Sequence, residues 1–497
     1  MMTFNLLLPR RWRLFPIVAS LVLISLLPVD CSSSVPSLRS GASGAGVGSG
    51  GHRRTISLQV SKLEPLFKQW MIKHNVSYGV STTAADKDES DEYYYRLQVF
   101  YENSLIVQNH NDAYEKGWTL YNMTLLNTPF ADLTNEEFTT HYLMEYQNCS
   151  ATTTTTIQAA ASTTENLRGI SEHYYTNDHK YDGNDEHGTD DIPEHVDWRT
   201  KGIITPIKNQ QHCGSCWTFS TSGTLEAHTC LAHRHTKMLE SNIEHEYDYP
   251  GLNFDCTEWS GLSEQQLLDC AWNYDNHGCN GGLPSHAFEY IKSAGGLETE
   301  ISYPYRANDS TICHHPTTTY DDIDNGNDKH NHRHVAKVVE VYNITSRDES
   351  DLVYTIGNIG PVSVAYQVTS DFRFYANGVY DSYNATTNTT NCLDDNQSVN
   401  HAVVAVGYGM TQPKNPKDED FKSQPYYIIR NSWSTAWGME GYFWILRGKN
   451  LCGISDCASF PIVPTIMPKE TGEKEDEIME EEVEEDSTSS LLSSMVA

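Results

Sequence analysis

The chain has 497 residues, and its 66 acidic side chains outnumber its 34 lysines and arginines, which gives a formal net charge of −32 at pH 7. That length exceeds one ordinary domain, so the sequence predicts more than one folded unit. The acidic balance argues against a nucleic-acid partner, because nucleic-acid-binding proteins present a basic face to phosphate.

The N-terminal segment, residues 1–33, has the pattern of a signal peptide. Arginines precede an apolar run over residues 14–29, and small residues follow it. The run is shorter than the roughly 20 residues of a spanning helix, so no stable membrane insertion is expected. An uncleaved signal anchor is the alternative, because no clean Ala-x-Ala site follows the run. Residues 34–59 are rich in Gly and Ser and are predicted to be a linker.

Residues 60–142 are predicted to form a helical domain. Six side chains in it recur at intervals of three or four residues, which places them along one helical face. They are Glu92, Arg96, Phe100, Asn103, Val107 and Asn111. This run resembles the interlocking helix motif of papain-family propeptides, with Val107 in the usual isoleucine place. The resemblance implies an inhibitory propeptide that also assists folding, and an unrelated small helical domain is the alternative.

Phe130 and Asp132 resemble part of a second propeptide motif of that family, although its usual glycine and asparagine are absent. Residues 143–191 follow, with a Thr-rich run, and are predicted to be a cleavable linker. Residues 192–199 are similar to the mature start of the family. The resemblance therefore implies a maturation cut near residues 189–192.

Residues 192–465 resemble the whole papain-type catalytic unit. Helical patterns dominate its first half, as in residues 217–231, and alternating strand-like patterns dominate its second half, as in residues 401–406. The expected fold class is α+β, a papain-like fold with a helical left subdomain, a β-barrel-like right subdomain and a cleft between them. The helical prodomain precedes it.

Cys216 is the candidate nucleophile. Residues 213–217 read Cys-Gly-Ser-Cys-Trp, which is the local signature around a papain-type catalytic cysteine. A free thiol is mostly protonated at neutral pH, and only its thiolate reacts. Cys216 is expected to begin a helix, whose N-terminal dipole would lower the pKa of the thiol.

The resemblance assigns the other catalytic roles to three residues. His401 resembles the general base of the family, and Asn431 resembles the amide that orients the imidazole. Gln210 is expected to donate a hydrogen bond to the oxyanion together with the backbone N–H of Cys216. Its neighbour Gln211 stands where the family usually has glycine.

His401 follows Cys216 by 185 residues, more than the ~130–150 typical of this family. Polar insertions at residues 241–258, 316–334 and 383–397 account for the excess and are predicted to be surface loops. The second insertion carries Asp and His clusters, but its residue spacing does not fit a calcium loop. Neither a metal site nor any other cofactor is expected.

Eight residues are expected to bind substrate, by resemblance to the family. Gly281 and Gly282 lack side chains, so an extended peptide can pair with their backbone. Trp433 would cover the catalytic His–Asn hydrogen bond, and Cys457 would form the floor of the pocket for the second residue before the cut. A small sulfur there favours Leu, Val or Phe over Arg. The other pocket residues are Leu283, Pro284, Ala365 and Ala402.

Twelve cysteines in a chain with a signal peptide favour disulfides over a zinc framework. The family pattern implies three bridges in the catalytic unit. They are Cys213–Cys279, Cys270–Cys313 and Cys392–Cys452. Cys230, Cys256 and Cys457 then remain besides Cys216. A Cys230–Cys256 bridge across the first insertion is expected, and a Cys230–Cys457 bridge is the alternative.

Eight Asn-x-Ser/Thr sequons fit a chain that passes through a glycosylating lumen. They are Asn75, Asn122, Asn148, Asn308, Asn343, Asn384, Asn388 and Asn396. With the signal peptide they indicate the secretory pathway, with the lysosome or vacuole or the extracellular space as destination. Residues 466–497 form an acidic tail that is predicted to be disordered, and a solvated tail is favoured over a docking segment.

The sequence therefore predicts a cysteine-type endopeptidase that is made as a zymogen. Its partners would be protein or peptide substrates and its own propeptide as intramolecular inhibitor, and a monomer is expected. It would hydrolyse peptide bonds through a thiolate–imidazolium pair and a thioester acyl-enzyme, after activation in an acidic compartment where prodomain carboxylates are protonated.

Two other activities are weighed against this prediction. An exopeptidase would need a segment that blocks one end of the cleft, and the sequence shows no His-His blocking loop. An inactive homologue that serves as a binding or storage glycoprotein would have lost a catalytic residue. Cys216, His401, Asn431 and Gln210 are all present.

Overall fold

The computed structural model describes residues 58–78, 87–149, 192–239, 256–310, 312–314, 336–384, 386–387, 389–413 and 421–464. The predicted signal peptide, most of both linkers and the acidic tail lie outside these residues. So do most of the first two insertions and the sequon at Asn388.

Seven α-helices lie within these ranges. They are α1 (Leu58–His74), α2 (Lys87–Glu115), α3 (Asn135–Tyr142), α4 (Cys216–Leu239), α5 (Glu264–Cys270), α6 (Pro284–Ala294) and α7 (Glu349–Asn358).

The same ranges contain eleven strands. They are β1 (Tyr121–Met123), β2 (Val196–Asp197), β3 (Glu340–Asn343), β4 (Val362–Tyr366), β5 (Tyr375–Tyr380), β6 (Tyr383–Asn384), β7 (Thr389–Thr390), β8 (His401–Met410), β9 (Pro425–Arg430), β10 (Tyr442–Leu446) and β11 (Cys457–Ile462). Nine of these form one mixed sheet in the order β1-β5-β10-β9-β8-β4-β11-β3, with β2 paired to β8, and β6 pairs with β7 alone.

Helices α1 and α2 of the prodomain pack through aromatic side chains. Phe67 and Trp70 are fully buried, and the ring of Phe67 lies 5.1 Å from that of Phe100 on α2. Burying each such side chain contributes roughly 1.5–3 kcal/mol. Asn103, on the predicted interlocking face, donates hydrogen bonds of 2.9 Å to main-chain carbonyls of the segment 131–133. The long helix therefore holds the chain that leads to the catalytic unit.

Strand β1 belongs to the prodomain but extends the sheet of the catalytic unit. It pairs antiparallel with β5, where Tyr121 lies opposite Gly378. A Cβ at Gly378 would collide with the main-chain carbonyl of Leu120, and its φ of 95° also favours glycine. The prodomain is thus hydrogen-bonded to the edge of the sheet.

Helix α4 packs against strand β8 in the centre of the catalytic unit. Strand β8 is buried over nearly its whole length because it lies between β4 and β9 under that helix. The Ser220 hydroxyl of α4 donates to the Val403 carbonyl of β8 at 2.7 Å. Because α4 begins at Cys216 and β8 begins at His401, this packing brings the two candidate catalytic residues together.

The α+β fold predicted from the sequence is confirmed, with helices α4 to α6 in the first half of the catalytic unit and most strands in the second. Four disulfides join Cys213 to Cys279, Cys230 to Cys256, Cys270 to Cys313 and Cys392 to Cys452. Within the described ranges, no helix combines the length and apolar character needed to cross a bilayer.

Candidate active site

Cys216 begins helix α4 and is fully buried. It is the one cysteine of the described residues that forms no disulfide. The backbone N–H of Ala402 donates to its sulfur at 3.4 Å. The helix N-terminus and this N–H both favour negative charge on the sulfur.

His401 stands at the start of β8, and Asn431 directly follows the neighbouring strand β9. The imidazole Nε2 lies 2.8 Å from the side-chain oxygen of Asn431. The ring of Trp433 covers the imidazole with a centroid distance of 4.7 Å. Nδ1 has no hydrogen-bond partner among the described residues, which leaves it available for the proton of the Cys216 thiol.

Both the oxygen and the nitrogen of the Gln210 side-chain amide form hydrogen bonds. Its oxygen accepts hydrogen bonds from the Ser432 hydroxyl at 2.7 Å and the Trp433 indole at 3.1 Å. Its nitrogen donates to the carbonyl of Tyr142 in the prodomain at 3.0 Å. Gln211, which occupies the usual glycine place, has a φ of 53°. The donor expected for the oxyanion is therefore fixed in orientation and occupied by a prodomain carbonyl.

Burial sets the charge of the candidate pair in this zymogen structure. It raises the pKa of the Cys216 thiol to about 12, against the backbone N–H groups that lower it. It lowers the pKa of His401 to about 4, against the hydrogen bond with Asn431. Both groups are therefore neutral at physiological pH while the prodomain is in place, and a neutral thiol is a poor nucleophile.

The end of the prodomain and the first residues of the linker after it pass through the cleft from Trp433 toward Cys457. The Phe138 ring lies 5.5 Å from that of Trp433, and the next contacts are at Gln210. Further on, the Met144 N–H donates to the Asn400 carbonyl at 3.0 Å. The Gln147 side chain then packs against Gly281, where a Cβ would lie 2.8 Å from its amide nitrogen. The first residues of the predicted linker 143–191 thus line the cleft.

Cys457 is joined to Cys149 by a disulfide, which corrects the expectation of a free thiol at the pocket floor. The alternative Cys230–Cys457 bridge is also wrong, because Cys230 is bonded to Cys256. The backbone N–H of Cys149 also donates to the Asn396 carbonyl at 2.8 Å, which ties the segment to the loop before β8. The residue expected at the pocket floor is therefore part of a disulfide that holds the segment 143–149.

The sheet register brings three of the expected pocket residues side by side. Ala365 on β4 lies opposite Cys457 on β11 and opposite Ala402 on β8. Leu283 and Pro284 stand at the start of α6, and both are buried. Gly282, just before them, would place a Cβ 3.0 Å from the Trp217 ring.

A buried ionic cluster lies behind the loop of Gln210. The ammonium nitrogen of Lys208 forms salt bridges with carboxylate oxygens of Glu226, at 2.9 Å, and Glu264, at 2.6 Å. The carboxyl of Glu300 lies against that of Glu264, and each has one oxygen, Oε2, with no hydrogen-bond partner among the described residues. Burial and the neighbouring Glu264 charge raise the pKa of Glu300 to about 7. The two unpaired oxygens of Glu264 and Glu300 can therefore hydrogen-bond to each other when the two carboxyls share one proton.

This cluster is linked to the cleft through Tyr305. The Tyr305 backbone N–H donates to Glu300 at 2.8 Å, and its hydroxyl donates to the Gln210 carbonyl at 2.7 Å. The same hydroxyl lies 2.6 Å from the Ser215 hydroxyl, next to the nucleophile. Tyr305 thus connects the Glu300 carboxyl to the loop that contains Gln210.

Sequence reasoning missed the role of Cys149, because the cysteines were paired only within the mature region. A count over the whole chain after Cys31, with Cys216 set aside, leaves an even number and would have required a partner for Cys457. It also missed the cluster around Glu300, for which the sequence carries no signal. Among the residues placed by the structure, no group of His, Cys, Asp or Glu side chains could hold a metal ion.

Two family profiles match the sequence. "Papain family cysteine protease" matches residues 192–244 and 252–462, and the cathepsin propeptide inhibitor domain matches residues 67–138. Pro-cathepsin H of Bos taurus is 37% identical over 398 residues, which cover 80% of this chain and 89% of that protein. Thiol protease aleurain of Arabidopsis thaliana is 38% identical over 369 residues, which cover 74% of this chain and 78% of that protein.

Solved structures show the same likeness. Digestive procathepsin L2 proteinase from the larval midgut of Tenebrio molitor matches with a TM-score of 0.56 at 27% identity. The match covers 81% of this chain and 99% of that one. Procathepsin L 3 from the same source matches with a TM-score of 0.53 at 26% identity, over 82% of this chain and 99% of the other.

Proposed function

Because the chain belongs to the papain family of cysteine proteases and is a cysteine endopeptidase with a cathepsin-type propeptide, we propose that Cys216, His401, Asn431 and Gln210 carry out its catalysis. The observation that carries this proposal is the junction of α4 and β8. There the free thiol of Cys216 meets the strand that begins with His401, whose other nitrogen is held by Asn431.

Departure of the prodomain activates the pair. Water reaches the thiol and the imidazole, so the burial that keeps both neutral is relieved. The N-terminus of α4 and the Ala402 N–H then stabilise a Cys216 thiolate beside a His401 imidazolium. Asn431 keeps the ring oriented, and Trp433 shields that hydrogen bond from water.

The reaction then follows two steps. The Cys216 thiolate attacks the peptide carbonyl, and the Gln210 amide and the Cys216 N–H donate to the oxyanion that forms. His401 gives its proton to the leaving amine, which leaves a thioester on Cys216. His401 next takes a proton from water, and the resulting hydroxide attacks the thioester carbonyl. The acid is released, and the Cys216 thiolate and His401 imidazolium are restored.

The proposed pocket for the second residue before the cut is small and apolar. Ala365 and Ala402 line it on adjacent strands, and the Cys149–Cys457 disulfide lies at its floor. No acidic side chain of the named pocket residues is available to pair with Arg. The enzyme is proposed to prefer Leu, Val or Phe at this place when the pocket is open.

The zymogen is proposed to travel through the secretory pathway to an acidic lysosome or vacuole, or outside the cell. The signal pattern, the sequons and the disulfides support this route. The prodomain acts as the intramolecular inhibitor, and protein or peptide segments are the substrates.

A second activity, aminopeptidase action, is favoured by the Cys149–Cys457 disulfide. A cut on each side of residues 143–149 would remove the rest of the prodomain but leave this segment covalently attached. It would still cover Gly281 and the pocket floor, where residues before the cut bind. A substrate could then place few residues before the cut, so that its free amino end would lie close to Cys216.

Covalent labelling tests the proposed catalysis. The purified zymogen is acidified and exposed to an epoxysuccinyl thiol-protease inhibitor, and the labelled residue is identified by mass spectrometry. We expect one label on Cys216 and loss of peptidase activity. Processed, folded protein that takes no label, or a label that persists in Cys216→Ala, would contradict the proposal.

A further inference from the structure

Arg373 is a buried cation on the catalytic unit, in the short turn Phe372–Phe374 before β5. Only 2% of its surface is exposed. Its Nη2 donates to the side-chain oxygen of Asn103 at 3.1 Å, and its Nη1 donates to the Ser370 carbonyl. The guanidinium also lies over the rings of Phe374, at 4.4 Å, and Phe138, at 5.6 Å.

Among the described residues, the guanidinium has no carboxylate partner. The ion pairs formed by the described residues do not include Arg373. Its neighbour Asp371 exerts only a longer-range attraction, because its oxygens accept from the Tyr121 and Thr369 hydroxyls. Nε has no hydrogen-bond partner among the described residues. Burial lowers the pKa of Arg373 to about 10.

Burying a charge is costly, and among the described residues the Arg373 side chain has only neutral acceptors, Asn103 and the Ser370 carbonyl. Two of the groups that cover it, Asn103 and Phe138, belong to the prodomain. Release of the prodomain removes both. The Arg373 nitrogen that Asn103 had occupied is then free for another acceptor.

The exposed guanidinium would stand at the Trp433 end of the cleft. The Trp437 indole donates to the Arg373 carbonyl at 3.1 Å and packs edge-on against Trp433 at 4.9 Å. The Phe138 ring, which lies against Arg373, also contacts Trp433, and Trp433 lies 4.7 Å from His401. Each of these contacts between neighbouring rings, or between a ring and the guanidinium, spans about 5 Å, which equals roughly one to two residues of extended chain.

This end of the cleft takes the part of the substrate after the cut. The proposed pocket for the second residue before the cut, with Ala365 and Cys457, lies at the opposite end of the prodomain path. His401, which protonates the leaving amine, lies against Trp433. A substrate residue roughly two to four places after the cut can therefore approach Arg373.

We propose that Arg373 is a specificity-determining residue of the mature enzyme, which binds a carboxylate of the substrate on the leaving side of the cut. The proposal rests on the proposed peptidase function and adds a charge preference to it. The carboxylate replaces the neutral acceptor Asn103 and supplies a counter-ion, which Arg373 does not have among the described residues of the zymogen. Arg suits this role because its planar fork can bind both carboxylate oxygens.

Matched peptides test the preference. A series of fluorogenic peptides shares one sequence before the cut and carries Glu at the second, third or fourth place after it, and each has a Gln counterpart. A further pair ends at that place as a free acid or an amide, which separates a side-chain carboxylate from a chain-terminal one. Enzyme concentration is set by active-site titration, and the cut is located by mass spectrometry.

We expect one Glu peptide to be cut with a kcat/KM about three- to tenfold above its Gln counterpart, since exposed and bidentate ion pairs span this range. The ratio should shrink in ~1 M NaCl because salt screens the pair. It should fall to about one in Arg373→Gln and be intermediate in Arg373→Lys. Arg347→Gln removes an exposed arginine that pairs with Asp394 at 3.2 Å, and it should keep the wild-type ratio.

Equal rates for every Glu and Gln pair with the wild-type enzyme would overturn the proposal, and that comparison stands even if Arg373→Gln does not fold. A preference that persists in a folded Arg373→Gln variant would also overturn it, and would assign Arg373 to prodomain binding alone. Cleavage of the peptides without a preference refutes only this inference. Absence of all cleavage together with no labelling of Cys216 refutes the peptidase function itself.

Discussion

The side-chain amide of Gln210 donates a hydrogen bond of 3.0 Å to the main-chain carbonyl of Tyr142. The prodomain thereby presents to the catalytic unit the kind of oxygen that a substrate would present. The same amide is anchored from behind by Ser432 and Trp433, so it keeps its direction when the prodomain leaves. The contact with the prodomain and the proposed oxyanion contact thus use one donor.

Replacement of this donor should damage turnover. In Gln210→Ala we expect kcat to fall by about 10²- to 10³-fold, the usual cost of one oxyanion donor. Labelling of Cys216 should persist, because the thiol pair is intact. Steady-state kinetics with active-site titration measure the effect. The control is Gln412→Ala, an exposed glutamine whose loss should leave kcat unchanged; a Gln210→Ala enzyme with wild-type kcat would refute the oxyanion role.

The Cys149–Cys457 disulfide predicts a retained segment. Mass spectrometry of the mature enzyme without reduction should find a peptide that contains Cys149, and reduction should release it. In Cys149→Ser the segment is lost, so kcat/KM for substrates with blocked amino ends should rise at least ~tenfold, because a tether holds a ligand at an effective concentration of order mM.

A neighbouring substitution serves as the control for this experiment. Asn148→Gln removes the adjacent sequon but leaves the disulfide, and it should keep the wild-type rates. If the mature enzyme contains no such peptide, or if Cys149→Ser cuts blocked substrates no faster, the aminopeptidase activity has no support.

Acid release of the prodomain should depend on Glu137. Burial opposes its charge, but hydrogen bonds from Arg96, at 2.7 Å, and the Thr134 backbone outweigh burial and lower the pKa of Glu137. A carboxyl with a lowered folded pKa stabilises the fold above pH ~4.5, and this stability is lost as the pH falls through the folded pKa. Glu137→Gln should therefore process itself at a higher pH than wild type.

Asp132 provides the matched control, because its shift has the opposite sign. Burial raises its pKa to about 6, against the hydrogen bond from Tyr78. Its contribution is present below pH ~3.8 and is lost as the pH rises through about 6, so acidification does not loosen the prodomain through Asp132. Asp132→Asn should not raise the pH of processing. Gel-based processing curves from pH 3 to 7 measure the processing pH of both variants. A higher processing pH in Asp132→Asn but not in Glu137→Gln would assign the acid release to Asp132 instead of Glu137.

Stability at neutral pH should depend on Glu300. Its pKa is raised to about 7, first by burial and then by the Glu264 charge. A carboxyl with a raised folded pKa stabilises the fold below pH ~4.5, and this stability is lost as the pH rises through about 7. Glu300→Gln cannot ionise but keeps an acceptor for the Tyr305 N–H.

We therefore expect the Tm of Glu300→Gln to fall less than that of wild type between pH 5 and pH 8, and its activity to extend to higher pH. Thermal unfolding across this range is the measurement. Glu289→Gln, a change of the same charge at an exposed site, should follow the wild-type curve. A Glu300→Gln curve parallel to wild type would show that the Glu264–Glu300 pair does not share its proton as inferred.

Much of the fold was predictable because its signals are local. The face that holds Phe100 and Asn103 follows from helical spacing, and in the structure it packs on α1 and on the chain around residues 131–133. The Ser263 hydroxyl accepts from the Gln266 N–H at 3.0 Å and so caps the N-terminus of α5. Such features depend on neighbours within a few residues.

The path of residues 143–149 was not predictable in the same way. Composition indicates a polar linker, but the backbone of this segment finds acceptors at Asn400, Val399 and Asn396, which lie in another part of the chain. The environment of Arg373 is equally non-local, since Asn103 and Phe138 reach it from the prodomain. Periodicity and motif spacing do not report contacts between segments that are distant in the sequence.

By itself, the sequence determined the family and the identity of Cys216, His401, Asn431 and Gln210 as candidates, because those signals are short motifs whose chemistry depends on adjacent residues. The tertiary structure alone decided what covers and links them. It joined Cys149 to Cys457 across 308 residues and paired the carboxyls of Glu264 and Glu300. It also buried Arg373 with no counter-ion among the described residues. Those relationships arise from packing of distant segments, where burial and distance, rather than residue order, set the energy.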